Sequence, residues 1–121
     1  MGMKNILKVE EVFLLGFAVY LFAGLDYAWW WFPLLFLVPD LGMVGYLGGV
    51  KLGAFTYNFV HHKGLAVFLF ILGGLLPAQG LQLAGAVILG HSSFDRVMDY
   101  GLKYADDFKH THLGWIGGKY R

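Results

Sequence analysis

The sequence predicts an all-α, polytopic membrane protein: a compact bundle of four transmembrane helices with a cytoplasmic interfacial helix and tail at the C-terminal end. Three observations predict it. Of 121 residues, 58% are hydrophobic and only 14% are charged, against about 25% charged in a soluble domain, so water would solvate this surface poorly. The apolar residues gather into runs close to the roughly 20 residues that cross a bilayer core as helix. The basic residues Lys4, Lys8, Lys51, Lys63, Arg96, Lys103, Lys109, Lys119 and Arg121 all fall on one side if the chain crosses four times. The bias of Lys and Arg towards cytoplasmic loops makes that side cytoplasmic and places both termini there.

The chain makes one membrane domain, 1–121. The first helix is expected over about 9–27, with Glu10, Glu11 and Asp26 at its ends. Lys4 and Lys8 resemble the basic start of a signal peptide. Glu10 and Glu11 follow at once, however, and no A-x-A cleavage site precedes the next span, so this helix is read as retained. The second is expected over about 29–49, opening on Trp29-Trp30-Trp31 and interrupted by Pro33, Pro39 and Asp40. The tryptophans suit the headgroup region. Residues 53–62, with Thr56, Tyr57, Asn58, His61 and His62, read as an interfacial segment.

The third and fourth helices are expected over about 64–77 and 79–91, divided at Pro77-Ala78-Gln79-Gly80, a composition that favours a turn. A single helix through this region would export Arg96 and every basic residue after it. Both runs are short, so they either thin the bilayer locally or form a re-entrant pair shielded by protein. Glycines in the second and fourth spans permit close helix approach, within the bundle or between copies of the chain. Ser92-Ser93-Phe94-Asp95 fits the S-x-x-D box that opens a helix. It predicts an interfacial helix over about 93–104, with Val97, Tyr100 and Tyr104 towards the membrane. The tail beyond it keeps Phe108, Leu113, Trp115 and Ile116, and is expected to dock under the bundle with His112 near a cavity rim.

Several function classes are excluded. A net charge of +1 is too small for a nucleic-acid binder. The absence of cysteine removes disulfides, thiolate metal sites and cysteine nucleophiles. No H-E-x-x-H, G-x-S-x-G or phosphate-cradling Gly-Lys-[Ser/Thr] motif is present.

The polar residues that remain converge. In the four-helix topology His61, His62, His91, His110 and His112 all lie at the cytoplasmic face, with Glu10, Glu11, Asp95 and Asp99. Metal sites in helical bundles draw ligands from several helices in this way. Asp40 sits near the centre of the second span, where a charge costs roughly 2.5–3.5 kcal/mol on insertion scales. It is either a site residue or a cap on the helix that continues after Pro39. Tyr57, Asn58 and His61 share a face if 54–62 is helical. His91 and Asp95, four apart, can both ligate, or Asp95 can orient His91; the capping box is the alternative use of Asp95.

The strings Trp29-Trp30-Trp31-Phe32, Pro39-Asp40-Leu41-Gly42-Met43, Gly53-Ala54 before Tyr57-Asn58 and His61, His91 with Asp95-Arg96, Gly101-Leu102-Lys103-Tyr104 and Thr111-His112-Leu113-Gly114 resemble a family of small bacterial inner-membrane proteins, catalogued as a domain of unknown function. The resemblance spans nearly the whole chain and implies the fold and a multi-pass inner-membrane location. It implies no activity. The family pattern has Gly in place of Asp99 and an acidic residue in place of His110, which sets both outside the candidate site.

The residues thus predict a metal-dependent membrane hydrolase acting on a lipid or amphiphile at the cytoplasmic face. Its metal ligands would be His61, His91 and Asp95, with Glu11 and Asp40 as catalytic carboxylates. Tyr57, Asn58, Arg96, Lys103 and His112 would support the site or bind substrate. Zinc is the default divalent metal for a His and carboxylate set without cysteine, and iron or manganese also fit. The rival reading is a non-catalytic structural, assembly or ion- and proton-handling membrane protein, in which Asp40 serves packing or a proton relay.

Overall fold

The computed structural model describes residues 2–116, and they are helical throughout the first four-fifths of the chain. Helix α1 (Met3–Ala23) starts and stops earlier than the expected 9–27. Hydropathy marks the stretch that suits a bilayer, not where the helix begins. Lys4 and Lys8 are good helix formers, and both reach Asp99, at 3.7 and 3.3 Å. At the other end the Gly24 N–H donates to the Leu21 carbonyl at 3.2 Å and closes the helix.

The expected second span, 29–49, is broken in two. A short α2 (Trp31–Leu35) is followed by a 3-10 segment, Val38–Gly48, with Pro39 at its start. Such long 3-10 runs are uncommon, and the sequence shows why this one forms. Pro39, Gly42, Gly45 and Gly48 recur every third residue. Three residues make one 3-10 turn, so these positions eclipse and form a smooth ridge. The ridge lies against α3 (Val50–Val60), which returns antiparallel after Gly49. A Cβ at Gly42 would stand 3.0 Å from the Thr56 carbonyl oxygen, and one at Gly45 only 2.1 Å from Thr56 Oγ1. That hydroxyl donates to the Gly42 carbonyl at 2.5 Å and pins the pair. The expected interfacial segment 53–62 is thus mostly a packed helix.

After His61 the chain turns through 45° into α4 (Lys63–Leu75). The His62 Nδ1 caps α4 by accepting the Leu65 N–H at 3.1 Å. Helix α5 (Gln79–Val97) packs antiparallel to α1 and α4 and runs well past the expected end at 91. The S-x-x-D string therefore opens no helix here. Ser92 lies inside α5, fully buried, and its hydroxyl donates to the His61 carbonyl at 2.7 Å.

The end of α5 is also not at 104. Asp99 adopts φ +65°, its N–H bonds the Arg96 carbonyl at 3.2 Å, and the Tyr100 N–H bonds the Asp95 carbonyl at 2.7 Å. This is a Schellman ending, whose left-handed position usually holds glycine. The tail then folds back as extended chain. Lys103 bridges Thr111, and β1 (His110–Thr111) pairs antiparallel with β2 (Gly114–Trp115).

Burial runs opposite to that of a water-soluble core. The largest fully buried side chains are His61, His91, Thr111, Ser92 and Ser93, while Phe13 is 75% exposed, Leu47 89% and Leu75 74%. Among the described residues one stretch, Trp31–Gly48, is long and apolar enough to cross a membrane, and α3 with α4 passes the same test if the bent pair is one span.

Helices α4 and α5 approach at Gly85, where a Cβ would meet the Ala66 carbonyl oxygen at 2.5 Å and the Phe70 nitrogen at 2.8 Å. Both are backbone atoms and cannot step aside. Gly85→Ala is expected to destabilise the bundle by about 1–3 kcal/mol, read as a lower thermal midpoint in detergent. Gly80→Ala, at a position with no neighbour within 4 Å, should leave the midpoint unchanged or raised. Equal midpoints for both variants would contradict the close packing.

Candidate metal centre

Three backbone features bring four side chains to one point. The 3-10 segment presents Asp40 beside α5. The C-terminal end of α3 turns His61 inward while His62 caps α4. One face of α5 carries His91 and Asp95 at i, i+4 spacing. One ligand-capable atom from each of Asp40, His61, His91 and Asp95 lies within 4.8 Å of all the others.

Both imidazoles are oriented from behind. His91 Nδ1 lies 2.6 Å from the Phe36 carbonyl oxygen, and His61 Nδ1 lies 2.8 Å from the Tyr57 carbonyl oxygen. A carbonyl can only accept, so each Nδ1 carries the proton. Each Nε2 then presents a lone pair forward when the ring is neutral. His61 Nε2 stands 3.4 Å from Asp40 Oδ1 and 3.3 Å from Asp95 Oδ2. His91 Nε2 stands 3.0 and 3.3 Å from the same two oxygens. The His61 Nε2 is buried and has no hydrogen-bond partner among the described residues.

Further contacts hold the cluster. The Tyr57 hydroxyl donates to Asp95 Oδ2 at 3.2 Å, and the Tyr57 ring stacks on His61 at 3.8 Å. The capping position of the 3-10 segment is Leu37 and not Asp40, and the Asp40 carboxylate is turned to His91 Nε2 at 3.0 Å. Its side chain is also the most open of the four, 36% exposed against 11% for Asp95 and 2% for each histidine.

Asp40, His91 and Asp95 line a cavity of about 400 Å³ whose other walls include Leu37, Met43, Phe94, Phe108 and Ile116. Lys103 and Tyr57 line it too. The Lys103 ammonium sits over the rings of Phe108 and Tyr57, 4.0 and 4.8 Å from their centroids. Burial pushes its pKa below the usual lysine range, partly offset by the attraction of Asp95 and Asp40. Asn58 fixes the Lys103 backbone at two points: its amide donates to the Lys103 carbonyl at 2.7 Å and its oxygen accepts the Lys103 N–H at 2.6 Å.

Three expected site residues stand elsewhere. Glu11 is turned to the start of α4, where it pairs with Lys63. Arg96 faces the back of the cluster, its Nη2 3.4 Å from the His61 carbonyl oxygen. His112 binds the tail to itself: its Nδ1 accepts the Leu102 N–H at 2.8 Å, and it does not line the cavity. Sequence reasoning missed the two orienting carbonyls, which no side-chain pattern encodes, and Ser92, whose place within a capping-box string drew attention away from its burial.

The chain belongs to the family described as a domain of unknown function (DUF4260), whose profile matches residues 4–116. Neither curated proteins nor solved structures include a match to it.

Asn58→Ala removes both bonds that hold residue 103 against α3. The tail segment is expected to exchange its amide hydrogens faster at Lys103 and His112, with a loss of about 1–3 kcal/mol in stability. Unchanged exchange at both positions would mean the tail is held by other contacts.

Proposed function

We propose that this protein is a metal-dependent membrane hydrolase that cleaves an ester-type bond of a lipid or amphiphile at the cytoplasmic face. The observation that carries the reading is the double tether. Two buried histidines each donate a proton rearward to a carbonyl and aim the free nitrogen at two carboxylates. Histidines that bind metal are oriented in this way by a partner on the other ring nitrogen.

The spacing supports a metal over a purely hydrogen-bonded cluster. Neighbouring ligands about 2.0–2.1 Å from one ion stand about 3 Å or more apart. All four ligand atoms lie within 4.8 Å of one another, and the four His–Asp distances are 3.0–3.4 Å. Charge-assisted hydrogen bonds would draw most of them to about 2.7–2.9 Å. Two carboxylates also balance a divalent ion in a place where net charge is costly. Zinc suits this set, and iron or manganese are compatible with two histidines and a carboxylate.

His61, His91 and Asp95 are the holding residues. Asp40, the exposed one, takes the side open to the cavity. The ion would supply a water acidified towards a pKa of about 7 and would polarise the bond under attack. Asp40 accepts the proton of that water as its oxygen bonds to the acyl or phosphoryl centre. It then returns the proton to the leaving oxygen as the ester bond breaks. Tyr57 holds Asp95 in position, and the apolar walls take the substrate's chain.

The inverted burial supports a bilayer setting, since lipid favours exposed Phe13, Leu47 and Leu75 and disfavours open histidines. The pairs Lys8–Asp99 and Lys63–Glu11 lie at one end of the helices, and the Asp26–Gln79 contact at the other. A basic end on the inside supports cytoplasmic termini, and the four-crossing arrangement with the metal cluster open towards the cytoplasm is the reading that we adopt.

Protein purified in detergent is expected to retain about one divalent metal per chain, which His61→Gln and His91→Gln each remove. Asp40→Asn should keep metal yet slow hydrolysis of nitrophenyl fatty esters or alkyl phosphates by about 10²–10⁴-fold, the usual worth of a positioned base. Metal without turnover on either substrate class would favour the non-catalytic reading, and no metal would contradict both the centre and the reaction.

A further inference from the structure

Lys103 is the buried charge that the metal centre leaves unbalanced. Its side chain is in a residue only 6% exposed. No carboxylate oxygen pairs with it within 4.0 Å among the described residues; its neighbours are the faces of Phe108 and Tyr57. Ring faces attract a cation but accept none of the ammonium's three N–H donors in the manner of an oxygen. The Asp40 and Asp95 carboxylates lie near enough to attract it, yet the oxygens they turn inward are engaged by the two histidines. With a divalent ion in the centre those carboxylates are neutralised, and Lys103 leaves the cavity with one net positive charge.

That charge is fixed in place. Asn58 clamps both backbone polar groups of residue 103, and Thr111 bridges it from the other side. A mobile surface lysine would swing to solvent. This one is held at the wall of the same cavity that Asp40 and His91 line, under apolar Leu37, Met43 and Phe94. The volume, about 400 Å³, falls in the range of small-molecule sites, which pair apolar walls with few polar groups.

We propose that Lys103 is the anion-binding residue of this cavity, and that the substrate is an amphiphile carrying a phosphate next to its alkyl or acyl chain. The proposal rests on the hydrolase reading for the identity of the cavity as a substrate site. The phosphate sits between Lys103 and the metal centre, with the chain along Leu37, Met43 and Phe94. An ammonium on one side and a metal on the other favour an anion over a neutral or cationic head. The apolar walls favour an alkyl phosphate over free phosphate.

The test uses the slow Asp40→Asn protein, with the metal it retains on purification, in phosphatidylcholine nanodiscs, and measures binding of decyl phosphate, inorganic phosphate and decanol by equilibrium dialysis against empty discs. Decyl phosphate is expected to bind saturably, at least about tenfold tighter than the other two. K103M in the same background should lower its affinity to that of decanol, and K103R should retain most of it. Inorganic phosphate binding as tightly as decyl phosphate would overturn the amphiphile assignment. Decanol binding as tightly, or K103M leaving the affinity unchanged, would overturn the role of Lys103. Metal content measured on the same samples separates the two claims. Lys103-dependent binding in protein that holds no metal sustains the anion site and removes the hydrolase reading. Bound metal with no Lys103 dependence does the reverse.

Discussion

Two hydrogen bonds from imidazole to backbone set the terms for the rest of this structure. Each Nδ1–H of His61 and His91 is given to a carbonyl, and the second ring nitrogen of each is thereby committed forward. An unpaired buried nitrogen costs on the order of 1–3 kcal/mol, so His61 Nε2 favours a partner. In the proposed reading a cation would supply it while offsetting Asp40 and Asp95. The surrounding elements are arranged to deliver these four atoms. The Phe36 carbonyl is available because α2 ends there, at the break before the 3-10 segment. The Tyr57 carbonyl accepts the His61 backbone N–H at 3.1 Å and takes the ring Nδ1–H of the same residue as a second donor, at the place where α3 ends.

The glycine ridge belongs to the same requirement. Asp40 can stand beside α5 only if the segment that carries it nests closely on α3. The row Pro39, Gly42, Gly45 and Gly48 permits that approach, and Thr56 locks it. Continuity of α5 matters equally. A helix ending at residue 91 would leave Asp95 in a loop with no fixed relation to His91. The Schellman ending at Asp99 comes four residues later and releases the chain to bring Lys103 back over Tyr57.

Much of the site was legible in the sequence, because charged and imidazole side chains in apolar surroundings are costly unless they meet. Asp40, His61, His91 and Asp95 stood out for that reason, and the all-helical class followed from composition. Element boundaries were less legible. Hydropathy runs report what lipid or core tolerates, so 29–49 read as one span although its glycines at every third residue fit a 3-10 turn better than a helix of 3.6. Ser92 and Asp95 matched a capping box by type, but capping depends on the backbone being free, and in the middle of α5 it is not. The stop after α5 was hidden because Asp99 occupies a left-handed position that usually holds glycine. Glu11 reads as a site carboxylate by type and position, and its pairing with Lys63, distant in sequence, is a tertiary contact that no local pattern encodes.

The central claim is that two imidazoles and the Asp95 carboxylate hold one metal ion beside Asp40. X-ray absorption at the edge of the metal that copurifies with the protein tests it most directly. The account predicts a shell of nitrogen and oxygen ligands at about 2.0–2.2 Å, with the outer-shell scattering of two imidazole rings and none from sulfur. An all-oxygen shell without imidazole scattering would place the ion elsewhere and contradict it.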